Sequence, residues 1–250
     1  MAPKEKNLTI EISPVDQQSV AVSVVGVTPL LMNRLSEKVR QVLILPPRKS
    51  SGKKPSGLKH DPIKEFQASP YRLRDDDAPT LLAGLSTWFK GAMRTAALDT
   101  EDTSKAEIGR LAYVEGDYIP IYGIPKLHMA IVRQAGMNKT PDVRTRAILP
   151  KWAAQFTVTF ISPKLNAHSV MNLIGRGGVC SGIGDWRPEK GGRFGQFRIA
   201  NPDDPELQSI LAAGGKEAQV AAMANPAPYD DEAAELLSWF EVEVKRMGLK

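Results

Sequence analysis

Cysteine is almost absent, and the single one, Cys180, excludes an intrachain disulfide framework and any zinc or iron–sulfur site built on clustered thiolates. Histidine is nearly as scarce: His60, His128 and His168 include no pair at the i, i+4 spacing of helical metal ligands, so neither metal nor cofactor is expected. No run approaches the roughly 20 apolar residues that cross a bilayer, and the N-terminus lacks the apolar stretch of a secretory signal. These absences point to a reducing, cytoplasmic setting without a membrane partner. Nucleotide fingerprints are also missing. The glycines around 175 follow a helical pattern and precede a strand, the reverse of the Rossmann order, and Gly214-Gly215-Lys216 lacks the flanking residues of a Walker loop. Consecutive acids do not converge on one ion, so Asp75-Asp76-Asp77 reads as a solvated turn and Asp230-Asp231-Glu232 as a helix start favoured by the macrodipole.

What is present is basic charge in one place. The 250 residues carry 33 Lys and Arg against 28 Asp and Glu, a formal +5. From Arg34 to Lys64 there are nine Lys or Arg and only two acids, Glu37 and Asp61, so more than the whole excess lies in that segment. Residues 46–64 hold prolines and glycines among lysines with little to bury, which predicts a mobile basic loop able to close over a polyanion.

Periodicity predicts strands at 8–12 and 19–27, the second central, then helical spacing over 30–45 that stops before Pro46-Pro47. A helix is expected over 80–98, with Lys90 and Arg94 one turn apart beside its apolar stripe. Strands follow at 118–122, 126–134, 143–149 and 155–161. Asn166 caps a helix that Gly175, Gly177 and Gly178 should end, and a last strand spans 193–200. The order of long elements is βαββαβ, so the fold expected is α+β, ferredoxin-like or RRM-like, with inserted strands over 112–150. That core should occupy residues 1–202. The remaining residues, 203–250, form an Ala- and acid-rich helical C-terminal extension ending in a helix near 231–247.

The stretch 175–197 combines eight glycines with Arg176, Arg187, Lys190 and Arg193 and with Trp186, Phe194 and Phe197. Glycine lets the main chain approach a phosphate, guanidinium groups donate to it, and aromatic rings offer faces on which bases stack. Alternation in the last strand puts Phe194, Gln196 and Arg198 on one face, expected to be functional, and Gly195, Phe197 and Ile199 on the other. The candidate phosphate contacts are Arg34, Lys38, Lys53, Lys54, Lys90, Arg94, Arg176, Arg187, Lys190, Arg193 and Arg198, with Trp186 and Phe194 stacking on bases.

Two segments, Val25-Gly-Val-Thr-Pro-Leu-Leu-Met-Asn-Arg-Leu-Ser-Glu-Lys38 and Gly182-Ile-Gly-Asp-Trp-Arg-Pro-Glu-Lys-Gly-Gly-Arg-Phe-Gly-Gln-Phe197, resemble a family of phage proteins found beside recombination and replication genes. More distantly, the helix, glycine loop and Phe-Gly strand are similar to the RAMP superfamily, the RNA-binding backbone subunits of CRISPR effector complexes. The resemblance implies a ferredoxin-like fold, a strand touched by residues 175–193, polymerisation along it, and a finger or thumb at 46–64. Residues and resemblance together predict a non-catalytic protein that coats or anneals single-stranded DNA as a homo-oligomer or filament, with a phage recombinase or replication partner. The rivals are an RNA-binding RAMP-like subunit, a metal-independent endoribonuclease using His60 or His168, and a phage structural or assembly protein.

Overall fold

The computed structural model describes residues 15–34, 60–101, 103–133 and 141–248. Lys38, Lys53 and Lys54, the first predicted strand and most of the basic loop lie outside them.

Valines at every second position make β1 (Asp16–Gly26) two-faced: Val22 and Val24 are buried while Ser19 and Ala21 on the other face are exposed. It is central, as expected. Along one edge it pairs antiparallel with β9 (Ala153–Ser162) over ten residues, and along the other with β10 (Phe197–Ile199). The far edge of β9 is shared by β5 (Ala112–Val114) and β6 (Tyr118–Tyr122), and the sheet continues through β4 (Leu82–Leu85) to β3 (Tyr71–Arg72). A smaller sheet holds β2 (Leu30–Leu31), β8 (Pro141–Leu149) and β7 (Lys126–Arg133) in the order β2-β8-β7.

Among the described residues seven α-helices follow in chain order: α1 (Pro62–Ala68), α2 (Ser86–Ala96), α3 (Lys105–Leu111), α4 (Ala167–Cys180), α5 (Pro205–Ala213), α6 (Lys216–Ala224) and α7 (Asp231–Arg246). The class is α+β. Strand β1, helix α2, strand β5 or β6, strand β9, helix α4 and strand β10 run in the predicted βαββαβ succession, with β1 between the third and fourth of these strands in the sheet. Between the two helices and the sheet lie Val22, Val24, Phe89, Met93, Phe156, Val170, Ile174 and Phe197, with the Phe89 ring 4.3 Å from Phe156 and 5.8 Å from Phe197. Burying rings of this size is the largest local source of stability, and truncating one to alanine costs about 3–5 kcal/mol.

Several expectations are corrected. Residues 30–31 form a strand rather than a helix start, because Leu30 and Leu31 pair with Leu149 and Ile148 and both are fully buried. Leu82–Leu85 is a strand that runs straight into α2, so the predicted helix begins only at Ser86. Pro62–Lys64, assigned to the basic loop, opens α1, where Asp61 accepts from the Lys64 amide as an N-cap. Within 112–150, β5 and β6 belong to the main sheet and only β7 and β8 to the second.

The largest change concerns the glycines. Asn166 does cap α4, accepting from the Ser169 amide, but the helix runs through positions 175, 177 and 178 to Cys180. A Cβ at Gly177 would stand 2.6 Å from the Ala92 carbonyl oxygen, and one at Gly178 would stand 2.3 Å from that of Phe197. These two glycines let α4 press against α2 and β10 rather than cradle a ligand.

Candidate nucleic-acid interface

Segments 27–33 and 183–196, far apart in sequence, are laced together by main-chain hydrogen bonds. Val27 donates to Gln196 (2.8 Å), Gly195 to Pro29 (2.8 Å) and Asp185 to Leu31 (2.9 Å). The second segment closes on itself as well, Ile183 donating to Gly195 (2.9 Å) and Phe194 to Trp186 (3.1 Å). The result is a compact loop with adjacent ends, seated on β2.

Phe194 anchors the loop from within. It is buried among Leu31, Ile148 and Tyr229 with its ring edge-on to His128, so the expected stacking role is corrected to a packing one. Residues 193–196 are irregular and the last strand shortens to β10, so strict alternation fails there.

Trp186 has the opposite placement. It is 57% exposed at the tip of the loop, with a φ of 51°. Left-handed backbone in a bulky residue costs about 1–2 kcal/mol, so the surrounding bonds impose it. Gly192 makes room, since a Cβ there would lie 1.7 Å from the Trp186 carbonyl oxygen.

Asp185 fastens the loop to the second sheet, accepting from Arg146 (2.6 Å) and from the Asn33 side-chain Nδ2 (3.0 Å). The buried Arg146 lies opposite His128 in the β7–β8 register, and Arg144 is two residues away on the same strand face. Burial draws the Arg146 guanidinium below its usual pKa; Asp185 opposes this and Arg144 adds to it. The His128 imidazole is likewise pushed down by burial and then by Arg146, with Arg193 contributing in the same sense, against the pull of Asp230 and Glu232. Arg193 itself is exposed, its guanidinium 5.5 Å from the Phe194 ring centre. Loop and second sheet are therefore joined through Asp185 and Arg146 and through Phe194 packed on Ile148 and His128. Asp185, Asn33, Arg144 and Arg146 went unnoticed in the sequence, where only the arginine alternation at 144 and 146 hinted at a charged strand face.

The other candidates are dispersed. Arg187 is held by the Glu189 carboxylate (2.7 Å) and the Gly184 carbonyl (3.0 Å). Partial burial raises the pKa of Glu189, but Arg187 and the Thr95 hydroxyl together outweigh it and bring it below the ordinary carboxylate value. Arg198, an expected phosphate contact, is engaged at both ends by Asp204 (2.6 Å) and Glu206 (2.8 Å). Arg94 donates to the Lys105 carbonyl (3.2 Å), Arg176 lies 3.6 Å from Asp99, and Lys90 sits half-buried on α2. Arg34 donates its main-chain N–H to the Ser69 carbonyl (2.6 Å).

The main-sheet face away from α2 and α4 is uncharged along β1 and β9 among the described residues beyond Asp16. It carries Gln17, Ser19, Ser23, Gln155 and Thr159, and the Thr159 hydroxyl donates to Glu115. Of the histidines, His60 faces carboxylates on both sides, Glu65 at 2.8 Å and Asp142 at 3.1 Å, and His168 is exposed in the first turn of α4. Among the described residues no group of three or more His, Cys, Asp or Glu side chains could hold a metal ion, and no helix is long and apolar enough to cross a membrane. Asp75 forms the expected turn, accepting from the Asp77 amide, and Asp230 caps α7.

No protein-family model matches this chain and no curated protein resembles it in sequence, so the phage-family likeness of the two motifs gains no support from either. Among solved structures, it is similar to a chain in the cryo-EM structure of the Type III-B Cmr-beta bound to cognate target RNA, at 12% identity and a TM-score of 0.38. That match covers 74% of this chain but 59% of the other, so the chain spans about three-fifths of its neighbour's length, and at that score no residue or activity is carried over.

Proposed function

We propose that this protein binds single-stranded nucleic acid, DNA before RNA, without cleaving it, and that successive copies coat the strand. The observation that carries the reading is Trp186, held exposed in a left-handed backbone conformation with Lys190 and Arg193 on the same loop. A fixed exposed indole gives a base a stacking face without ordering cost, and flanking cations meet the phosphates on either side. Base stacking and charge are both indifferent to sequence, so binding is sequence-tolerant and salt-sensitive.

A titration of labelled DNA and RNA oligomers of one sequence, repeated at rising salt, tests this. Expected are binding that weakens steeply with salt, a tighter complex with DNA, more than one protein on long strands, and recovery of the bound strand intact. Trp186→Ala should weaken binding roughly 5- to 150-fold, the range measured for loss of one stacked base. Failure to bind either polymer at low salt removes the proposal; tighter binding to RNA transfers it to RNA, and cleavage replaces it with a nuclease.

A further inference from the structure

Strand β1 is longer than the strand along its outer edge. It pairs with β9 from Asp16 to Val25, whereas β10 reaches only Val24–Gly26 on the other side. One further main-chain bond, from the Ala200 amide to the Ser23 carbonyl (2.9 Å), extends that contact. It ends for a local reason. The same register would set Pro202 opposite Ala21, and proline has no N–H to give to a ladder. The chain turns away there, the Asp204 amide donating to the Asn201 carbonyl (3.0 Å).

The stretch Gln17–Ala21 is left with a bare edge. Alternate residues of a strand send their main-chain groups to opposite edges. Ser23 sends its carbonyl to the β10 side, so Gln17, Ser19 and Ala21 do the same. No described residue bonds their outward N–H and C=O groups, and all three residues are exposed. A row of open donors and acceptors is a template for another extended chain. Lysine and proline, which commonly blunt such edges, are absent from 17–21.

The two faces of β1 say what fits beside it. Val20 and Val22 turn to the core under α2 and α4, and Ser19 and Ala21 turn away from it. A strand added here therefore needs apolar side chains at every second position and polar ones between. Residues 8–12, Leu-Thr-Ile-Glu-Ile, alternate in that way and equal the bare stretch in length. They lie outside the described residues and are joined to β1 by Ser13-Pro14-Val15. That connection is ill-suited to a tight hairpin. A three-residue hairpin loop begins in right-handed helical backbone and ends in left-handed backbone. Pro14 keeps Ser13 from the first, and a β-branched valine at 15 resists the second. An extended connection instead carries the segment away from its own sheet.

We infer that residues 8–12 of one copy add as a strand to the Gln17–Ala21 edge of a second copy of this chain. The inference deepens the proposed coating of a strand by successive copies, and rests on that reading for its purpose. The contact itself forms without nucleic acid.

The test uses full-length protein with no nucleic acid present, wild type beside Ile10→Pro. Sedimentation over a range of concentrations reads the association, and hydrogen exchange reads the Ser19 and Ala21 amides. Wild type is expected to grow in mass as concentration rises, with both amides becoming protected. Proline at 10 removes a donor from the added strand and lies outside β1. It should raise the concentration for half-association at least about tenfold, as for the loss of one or two main-chain hydrogen bonds, and leave both amides exchanging freely. Its thermal unfolding midpoint, measured where wild type is dissociated, should not fall.

A wild type that stays a single copy at every concentration overturns the inference; amides protected in that single copy would show the strand paired within its own chain. Association that Ile10→Pro leaves unchanged overturns it too, as do Ser19 and Ala21 amides that exchange freely in the assembled protein. Single-strand binding is measured separately, so its failure leaves this contact standing, and loss of the contact leaves single-strand binding standing.

Discussion

Arg146 donates to Asp185 across 2.6 Å, and this pair ties β8 to the loop that carries Trp186. The guanidinium is buried while the carboxylate is one-third exposed, so the two substitutions are not equivalent. Asp185→Ala leaves a buried cation without its counter-ion and should cost about 2–3 kcal/mol in urea unfolding. Asp185→Asn keeps an acceptor and should cost less. Both variants free the tip of the loop, so strand binding should fall in step with the loss of the pair, read by titration beside the unfolding curves.

Trp186 lets stability and binding be moved in opposite directions. Its φ of 51° costs an ordinary residue about 1–2 kcal/mol, a penalty glycine does not carry. Trp186→Gly should therefore match wild type in stability or exceed it by up to about 1 kcal/mol, part of the relief being offset by the freer unfolded chain. Its affinity for single strands should fall by the same factor as in Trp186→Ala. A glycine variant that binds as well as wild type would show that the indole serves only the loop.

Much of this was written into local sequence and some of it was not. Strands such as β6, β7 and β9 alternate cleanly, and the α4 cap at Asn166 is a local bond between residues three apart, so both could be read from neighbours alone. By contrast, the meaning of Gly177 and Gly178 depends on Ala92 and Phe197, and the meaning of Asp185 on Arg146, 39 residues away. Leu82–Leu85 satisfied a helical stripe and a strand equally, and its pairing with β6 decides for the strand. Gly178→Ala measures how strongly such packing overrides propensity. Alanine favours the helix, yet its methyl would meet the Phe197 carbonyl oxygen, and a net loss of about 1–3 kcal/mol is expected in thermal or urea unfolding.

Acid should weaken the attachment of α5 to the sheet. The Arg198 guanidinium holds the Asp204 carboxyl down to about 2, and Asp204 also caps α5 by accepting from the Glu206 and Leu207 amides. The unfolded chain takes up this proton near the ordinary value of about 4, before the folded protein does. Stability from the pair is therefore complete above about pH 4 and is lost as the pH falls towards 2. Asp204→Asn should flatten that part of the stability profile, measured by urea unfolding at stepped pH. An unchanged acid limb would locate the responsible carboxylates elsewhere.

Gln219 shows that the helices after residue 203 complete the main sheet. The fully buried side chain of this α6 residue accepts from the Leu81 and Leu82 amides, at 2.9 Å each, and donates to the carbonyls of Ile121 (2.8 Å), Gly123 (3.0 Å) and Gly214 (3.0 Å). Only a carboxamide presents an oxygen that accepts from two amides beside two N–H groups, here shared among three carbonyls. Gln219→Leu matches it in size but removes this partner from the Leu81 and Leu82 amides and the Ile121 and Gly123 carbonyls, the Gly214 carbonyl keeping the Gly123 N–H, and a loss of at least about 3 kcal/mol is expected. Gln219→Glu retains the acceptor and sets a carboxylate against the three carbonyls, so it should be no better and should improve as the pH is lowered and the acid gains its proton. If leucine and glutamate were both tolerated within about 1 kcal/mol, α6 would contribute little to the sheet, and the network around Gln219 would not be what holds β4 and β6 in place.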